Sequence, residues 1–253
     1  MAVKLTQERR NEIARRLIRD GRVSAQELSA AYGVSVETIR KDLTWLESRG
    51  IAEKGYGGAI AAAQALEKPF FEKATSQPEE KRRIGKAAAE RIGPVGVVLL
   101  DSGSTVMEVA RELAGRGEFS FFTNSLRTAQ MLADRKCGVT MLGGAIRLSS
   151  QAAWGMWAVE QLEQLRAGWA IVGASGFSDS DGPCVESLEE AEVKRAMIRA
   201  AKKTIVVADS TKSRCPAAVR FARWADVSRL VTDGGIEPEV LRRLRETVEV
   251  QVV

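Results

Sequence analysis

The sequence predicts a mixed α/β protein in which an N-terminal winged helix-turn-helix is followed by a Rossmann-like, mainly parallel α/β domain. Helix signals fill residues 6–48 and precede a glycine-rich stretch at 51–60, the order typical of a winged helix-turn-helix. From residue 81 onward short apolar runs alternate with helical patterns, which indicates a parallel sheet covered on both faces. The expected bounds are 1–60 for the first domain, 61–78 for a linker and 79–253 for the α/β domain.

The first domain opens with two helix signals. Residues 6–20 have the apolar spacing of a helix and carry five arginines, some of which can contact phosphates: Arg9, Arg10, Arg15, Arg16 and Arg19. Ser24 and Glu27 have the spacing of a capping box, which starts a second helix. Gly33 ends that helix, because glycine suits the left-handed conformation of a helix C-terminus.

A third helix over about residues 36–48 has two different faces. Its apolar residues recur at helical spacing and predict a buried stripe of Val36, Ile39, Leu43 and Leu46. The opposite face is polar and can meet base edges and phosphates in a DNA groove. Gly50 lets the chain leave the helix, and residues 51–60 suit a short wing. The residues expected to contact DNA are Ser35, Glu37, Thr38, Arg40, Lys41, Thr44, Lys54 and Tyr56.

A solvated helical bundle is the alternative interpretation of two amphipathic helices joined at a glycine. The capping box, the polar face and the basic wing together favour DNA binding. Charge agrees with this, since residues 1–60 hold 11 lysines and arginines against 8 acidic residues in a chain of net charge +5.

Composition excludes several chemistries. The chain has no histidine, so a Ser-His-Asp triad, an imidazole base and a histidine metal ligand are all excluded. Cys137, Cys184 and Cys215 lack metal-ligand spacing and are interpreted as small buried residues in a reducing cytoplasm. The sequence shows no apolar run of membrane-spanning length and no signal peptide. We therefore expect a cytoplasmic protein with no membrane partner, no cofactor and no metal.

The α/β domain places polar loops after its predicted strands. The apolar runs are 97–100, 119–122, 139–142, 170–172, 204–208, 230–232 and 248–253. The carboxyl ends of parallel strands gather at one sheet edge, where ligands bind, although each loop alone is ordinary turn chemistry. The loop at 101–105 enters a helix expected from residue 106, which suits an anion. The expected ligand-binding residues are Asp101, Ser102, Gly103, Ser104, Thr105, Thr123, Asn124, Ser125, Gly144, Gly173, Lys194, Asp209 and Lys212.

Motifs along the whole chain resemble those of the DeoR family of bacterial transcriptional regulators. Residues 34–47 contain its V-S-x-x-T-I-R-x-D-L-x-x-L-E signature. The second domain carries LDSGST at 100–105, TNS at 123–125, LGG at 142–144, GASG at 173–176, EEAEVKRAMI at 189–198 and DSTK at 209–212. The chain departs from the family at three positions, with Lys54 in place of arginine, Tyr56 in place of histidine and Gly168 in place of aspartate.

The resemblance implies a regulator, a repressor of a carbohydrate-catabolism operon, that leaves its operator DNA when a phosphorylated sugar binds. It also implies an effector domain related in fold to ribose-5-phosphate isomerase. Two DNA half-sites would require a homodimer or homotetramer. The rival hypothesis is an isomerase with a DNA-binding arm, and a third is an interaction module without a small ligand. Against the isomerase, its D-G-A-D element is replaced here at residues 172–175, and its catalytic glutamate falls on Lys194.

Several other side chains have plainer interpretations. Lys194 is either a ligand contact or an exposed helix lysine. Lys81, Arg82 and Arg83 are interpreted as a helix surface, with contact to DNA or to the effector as the alternative. The methionines are expected to fill the core: Met107, Met131, Met141, Met156 and Met197. The acidic side chains near residue 190 are interpreted as a solvated first helical turn: Glu189, Glu190 and Glu192. Trp154 and Trp157 could belong to the core, a subunit interface or a lid.

Overall fold

The computed structural model divides into two compact units, residues 1–68 and 69–253. It describes residues 6–48, 51–61, 70–93, 96–116, 118–214 and 217–253. Three groups of predicted features lie outside the described residues: Gly50, Cys215 and positions 62–69 of the linker. The side chains of Arg15 and Arg19 are also outside them.

The first unit is a winged helix-turn-helix, as predicted. A three-stranded antiparallel sheet in the order β1-β3-β2 packs with the helices. Its elements are α1 (Thr6–Asp20), β1 (Arg22–Ser24), α2 (Ala25–Tyr32), α3 (Val36–Glu47), β2 (Ala52–Gly55) and β3 (Gly58–Ala61).

Local signals in the sequence fix the ends of these helices. The hydroxyl of Ser24 accepts a hydrogen bond from the backbone N–H of Glu27, and that of Ser35 accepts from Thr38 at 3.1 Å. Gly33 ends α2 with a φ of +65°, a conformation that favours glycine. The predicted stripe of α3 is buried at Ile39, Leu43 and Leu46 and half-buried at Val36.

A buried carboxylate joins α1 to α3. Asp42 is 1% exposed and accepts hydrogen bonds from the Nε atoms of Arg9 at 2.7 Å and Arg10 at 2.8 Å. The guanidinium of Arg10 also lies 4.8 Å from the centre of the Trp45 ring. A buried carboxylate needs charged partners, and these two arginines supply them. Phosphate contacts by some of the α1 arginines stay a prediction.

The second unit is built on a seven-stranded parallel sheet. Its first ten elements in chain order are α4 (Phe70–Thr75), α5 (Pro78–Ala89), β4 (Gly96–Leu100), α6 (Ser104–Leu113), β5 (Phe119–Thr123), α7 (Leu126–Asp134), β6 (Val139–Met141), β7 (Ala145–Arg147), β8 (Ala152–Trp154) and α8 (Met156–Glu163). The remaining elements are β9 (Ala167–Gly173), β10 (Gly176–Ser178), β11 (Gly182–Val185), α9 (Leu188–Ala200), β12 (Ala201–Val207), β13 (Val219–Arg220), β14 (Arg229–Thr232), α10 (Pro238–Leu244) and β15 (Val250–Val252). A short 3₁₀ helix at Ser210–Arg214 follows β12.

The predicted apolar runs correspond to the seven strands of this sheet, whose order is β15-β14-β12-β9-β4-β5-β6. Successive residues of one strand pack into different cores: Leu99 lies in the core on one face, and Val98 and Leu100 lie in the core on the other. Both faces are thus covered, as predicted, and this is why the strands are uniformly apolar.

The strand order reverses between β4 and β9. From β4 the chain continues to β5 and β6 on one side, and the later strands β9, β12, β14 and β15 lie on the other. The loops that follow β4 and β9 therefore leave the sheet in opposite directions and open a crevice between them. Helix α6 begins at Ser104, two residues before the predicted start, so Ser104 and Thr105 belong to its first turn.

Other features differ from the sequence analysis. Residues 70–75, placed in the predicted linker, form α4 within the second unit. Two antiparallel groups, β7-β8 and β10-β11-β13, were not anticipated. Met156 is 71% exposed, so its assignment to the core is wrong, and Trp157 at 69% is not a core residue either. Among the described residues, no helix combines the length and the apolar character needed to cross a membrane.

The Asp42 contacts generate a stability prediction. Asp42→Ala leaves the arginines of α1 without their buried carboxylate and should lower the unfolding free energy of the first unit by about 3–5 kcal/mol. Urea denaturation of the full chain would measure this. The matched control is Glu53→Ala, which removes an exposed carboxylate of the wing. Equal midpoints for the two variants would contradict a role for Asp42 in holding α1 on α3.

Candidate DNA-binding surface and anion pocket

The polar face of α3 is exposed and nearly continuous. Glu37, Arg40, Lys41 and Thr44 are exposed, and Thr38 is half-buried beside the capping residue. The Arg40 guanidinium lies 3.8 Å from the Glu37 carboxylate, with both side chains about two-thirds exposed. An exposed ion pair of this kind is weak and exchanges readily for a phosphate. The structure thus brings the predicted α3 residues together on one surface.

The two predicted wing residues differ in their contacts: Tyr56 is exposed to solvent, and Lys54 pairs with a carboxylate of α3. Tyr56 is fully exposed in the turn between β2 and β3, where Gly57 has a φ of +79°. The Lys54 ammonium lies 3.0 Å from a Glu47 carboxylate oxygen, and the Lys54 backbone N–H donates to the other oxygen at 3.2 Å. These hydrogen bonds hold the pKa of Glu47 below its usual value. Lys54 therefore connects the wing to the end of α3.

A lysine-rich pocket occupies the crevice between β4 and β9. Four lysines and one carboxylate contribute side chains: Lys73, Lys81, Lys194, Lys212 and Glu190. The other lining residues are Gly103, Ser104, Thr105, Gly173, Ala174, Ser175 and Val207. The predominance of cationic side chains suits an anionic ligand.

The N-terminus of α6 opens into this pocket. Gly103 occupies the capping position without a side-chain cap, so the first backbone N–H groups of this ten-residue helix are available to a ligand. A Cβ atom added to Gly103 would come within 3.6 Å of Gly173 Cα, which shows how closely the two loops approach. The predicted anion site at Ser104 and Thr105 thus lies at the crevice.

Lys194 forms the inner wall of the pocket. It is 2% exposed, and its ammonium donates to an Asp101 carboxylate oxygen and lies 3.2 Å from Glu190 Oε1. Burial alone would lower the pKa of Lys194, but the two carboxylates outweigh it and raise that pKa above its usual value. Asp101 also accepts from the backbone N–H of Gly173 at 3.0 Å.

This geometry corrects two interpretations made from the sequence. Lys194 is not an exposed helix lysine, because it is charged and buried between carboxylates. Glu190 is not part of a solvated turn, since its side chain is only 16% exposed and pairs with Lys194. Glu190 and Lys194 are four residues apart on one helix, and this spacing could have indicated from the sequence that they form a pair.

Lys81 is not on the helix surface, and the alternative position near the effector pocket agrees with the structure. It is 3% exposed, lies 4.0 Å from Asp209 Oδ2 and donates to the carbonyl of Ser76 at 2.6 Å. Burial lowers the pKa of Lys81, the neighbouring lysines lower it further and Asp209 opposes them. Helical spacing from the buried Ile84 could have indicated this position.

The loop after β12 brings two more predicted residues to the site. Lys212 lies in the 3₁₀ helix, and its backbone N–H donates to the Asp209 carbonyl at 3.0 Å. The Asp209 carboxylate also accepts from the backbone N–H of Thr211 at 3.2 Å. Asp209 therefore fixes the turn that carries Lys212 and balances part of the lysine charge.

Seven predicted residues do not line the pocket: Asp101, Ser102, Thr123, Asn124, Ser125, Gly144 and Asp209. Ser102 is buried. Ser125 caps α7, the amide of Asn124 donates to the Ala153 carbonyl, and Thr123 accepts from the backbone N–H of Ser125. Gly144 packs against the Trp154 carbonyl, where a Cβ would come within 2.4 Å. Thr123 ends β5, Asn124 and Ser125 follow it and Gly144 follows β6, so these four residues lie on the far side of β4 from the crevice.

The pocket has the chemistry of a binding site. The carboxylates Asp101 and Glu190 are both engaged by Lys194, so neither is placed as an independent proton acceptor. Among the described residues, no group of three or more carboxylate or thiol side chains is arranged to hold a metal ion.

Comparisons with solved structures show a partial likeness to a sugar-phosphate enzyme. Ribose 5 phosphate isomerase A from Neisseria gonorrhoeae is 18% identical, with 55% of each chain covered and a TM-score of 0.41.

Family comparisons cover most of the chain. Residues 9–65 match the DeoR-like helix-turn-helix domain, and residues 76–234 match the DeoR C terminal sensor domain. A protein of Escherichia coli O157:H7 named for repression of the aga operon is 34% identical, covering 98% of this chain and 94% of its own. The glycerol-3-phosphate regulon repressor of Escherichia coli is 30% identical, covering 94% and 95%. The transcriptional repressor AccR of Agrobacterium fabrum is 31% identical, covering 96% and 98%.

These matches span both units, and the names of the relatives are those of regulators rather than enzymes. The isomerase hypothesis is therefore not supported, and the regulator hypothesis is. The chain belongs to the DeoR family of DNA-binding transcriptional regulators.

Proposed function

We propose that this regulator represses a carbohydrate-catabolism operon and leaves its operator when a phosphorylated sugar binds the lysine-rich pocket. The observation that carries the proposal is the convergence of four lysines with the N-terminus of α6 in one crevice. A phosphate group carries close to two negative charges at neutral pH and three acceptor oxygens, which match both ammonium and backbone N–H donors.

The pocket lining offers two kinds of polar group. Ser104, Thr105 and Lys212 offer hydroxyl, backbone N–H and ammonium donors for the phosphate. Glu190 and Lys194 offer an acceptor and a donor to sugar hydroxyl groups. In this proposal Asp101 and Asp209 act indirectly, by holding Lys194 and the loop of Lys212.

The names of the relatives support a metabolite of this class. One is the repressor of the glycerol-3-phosphate regulon, and another is named for the aga operon. From these names we infer only the chemical class of the effector of this chain, which is a small phosphorylated polyol or sugar.

The proposal also requires more than one copy of the chain. A single helix-turn-helix contacts one half-site, and operators with two half-sites need a homodimer or a homotetramer. It places the protein in the cytoplasm with its operator. The assignment of residues 1–60 to DNA binding and of 79–253 to sensing stays a prediction, and α4 adds Lys73 to the sensing part.

The first prediction concerns operator affinity. Arg40→Ala and Lys41→Ala should each weaken operator binding by about 1–3 kcal/mol, because each removes a cation from the exposed face of α3. Fluorescence anisotropy with an operator fragment would measure this. Melting temperatures should stay near the wild-type value, and Lys86→Ala, at an exposed lysine of the second unit, is the control. Unchanged affinity in both variants would remove α3 as the DNA-contacting helix.

The second prediction concerns the effector. A panel containing glycerol 3-phosphate, fructose 1-phosphate and glucosamine 6-phosphate should include a compound that raises the melting temperature. A ligand of the folded state adds about 2.7 kcal/mol at 100 times its dissociation constant. Lys212→Met and Ser104→Ala should keep operator affinity but lose both the stabilisation and the release, because both residues line the pocket.

The control for these variants is Lys202→Met, which removes an exposed lysine near the opposite end of β12. It should respond like the wild type. If Lys212→Met and Ser104→Ala both release the operator at the wild-type effector concentration, the phosphate does not bind where we place it.

A further inference from the structure

The short helix α4 connects the anion pocket to the chain that leads back to the DNA-binding unit. Only eight residues separate the end of β3 at Ala61 from the start of α4 at Phe70. Helix α4 contributes Lys73 to the pocket lining. A change in the position of α4 therefore acts directly on the connecting chain.

Described contacts hold α4 at both of its ends and against α6. At its start, Phe70 is buried, its backbone N–H donates to the Ser149 carbonyl at 3.0 Å, and its ring lies 5.0 Å from the Arg127 guanidinium. At its end, the ammonium of Lys81 donates to the carbonyls of Lys73 and Ser76. A helix of six residues has little stability of its own, so its position depends on such contacts.

The charged side chains near the end of α4 are the same lysines that line the pocket. Lys73 and Lys212 both act on Lys81 as like charges, and Asp209 opposes them from 4.0 Å. Like charges in a partly buried crevice repel one another. An anion in the pocket compensates this repulsion and attracts Lys73, which brings α4 with it.

The lysines of the pocket therefore contribute differently. Ser104 and Thr105 belong to the first turn of α6 and Lys212 to the 3₁₀ helix after β12, so none of the three is part of α4. Lys73 belongs to α4 itself. Only a contact that differs between two conformations lets a ligand shift the balance between them.

We propose that Lys73 is the coupling residue of this protein: a bound phosphate group draws its ammonium into the pocket, fixes α4 against the sheet edge, and so transmits effector binding to the DNA-binding unit. This inference rests on the proposed function. It adds that affinity and response reside in different residues, since Lys212 and Ser104 supply affinity and Lys73 supplies the response.

The experiment compares full-length wild type, Lys73→Met and the control Lys86→Met, which removes an exposed lysine of α5. The probes are inorganic phosphate and glycerol 3-phosphate, with potassium chloride of equal ionic strength as the salt control. For each protein we would measure melting temperature, hydrogen exchange of the α4 backbone amides, and operator affinity.

In wild type and Lys86→Met, we expect a probe that raises the melting temperature to slow α4 exchange several-fold and to weaken operator binding. In Lys73→Met the probe should still raise the melting temperature, with α4 exchange and operator affinity unchanged at equal occupancy.

Three outcomes would overturn the inference. Slowed α4 exchange in Lys73→Met would show that another residue couples the anion to α4. A probe that stabilises the wild type but changes neither α4 exchange nor operator affinity would show that α4 carries no signal. If neither probe stabilises the wild type, the anion pocket itself is wrong, and the proposed function fails together with the inference.

Discussion

The second unit depends on one buried ion cluster at the point where its strand order reverses. Asp101 follows β4, accepts from the backbone of Gly173 at the end of β9, and pairs with Lys194 of α9. Two loops and a helix that are far apart in the sequence are thus held around one crevice. Removing one partner of such a buried pair lowers the stability of the fold, because the remaining charge is left buried without water or an opposite charge to solvate it. The same cluster aligns Lys194 and Glu190 on the pocket wall, so the interaction that holds the fold also shapes the site.

The first unit also contains a buried carboxylate that binds cationic side chains. Asp42 on α3 is buried against Arg9 and Arg10 of α1, so the polar face of α3 is held outward. Exposed residues such as Arg40 and Lys41 can then contact DNA without a role in folding. In both units a buried carboxylate organises cations. The difference lies in what remains exposed, which is a helix face in the first unit and a crevice in the second.

The sequence predicted the elements well, and the fold brings together some of the predicted site residues and separates others. Strands of a parallel sheet are buried on both faces, so they stand out as continuous apolar runs, and capping residues such as Ser35 and Gly33 act locally. Strand order is not a local property. Thr123 and Ser125 follow a strand as Ser104 does, but β5 lies away from the reversal point. The burial of Lys81 depends on Asp209 and on carbonyl groups that only the fold brings near, so charge alone indicated a surface residue.

We propose that effector and operator compete through two conformations of one protein, and thermodynamic linkage provides the test of this competition. Effector affinity should be measured by calorimetry for the free protein and for the protein saturated with operator, and operator affinity with and without effector. The account predicts that operator lowers effector affinity by the same factor by which effector lowers operator affinity, about 5–150-fold for a typical allosteric coupling. Equal effector affinity for free and operator-bound protein would contradict it.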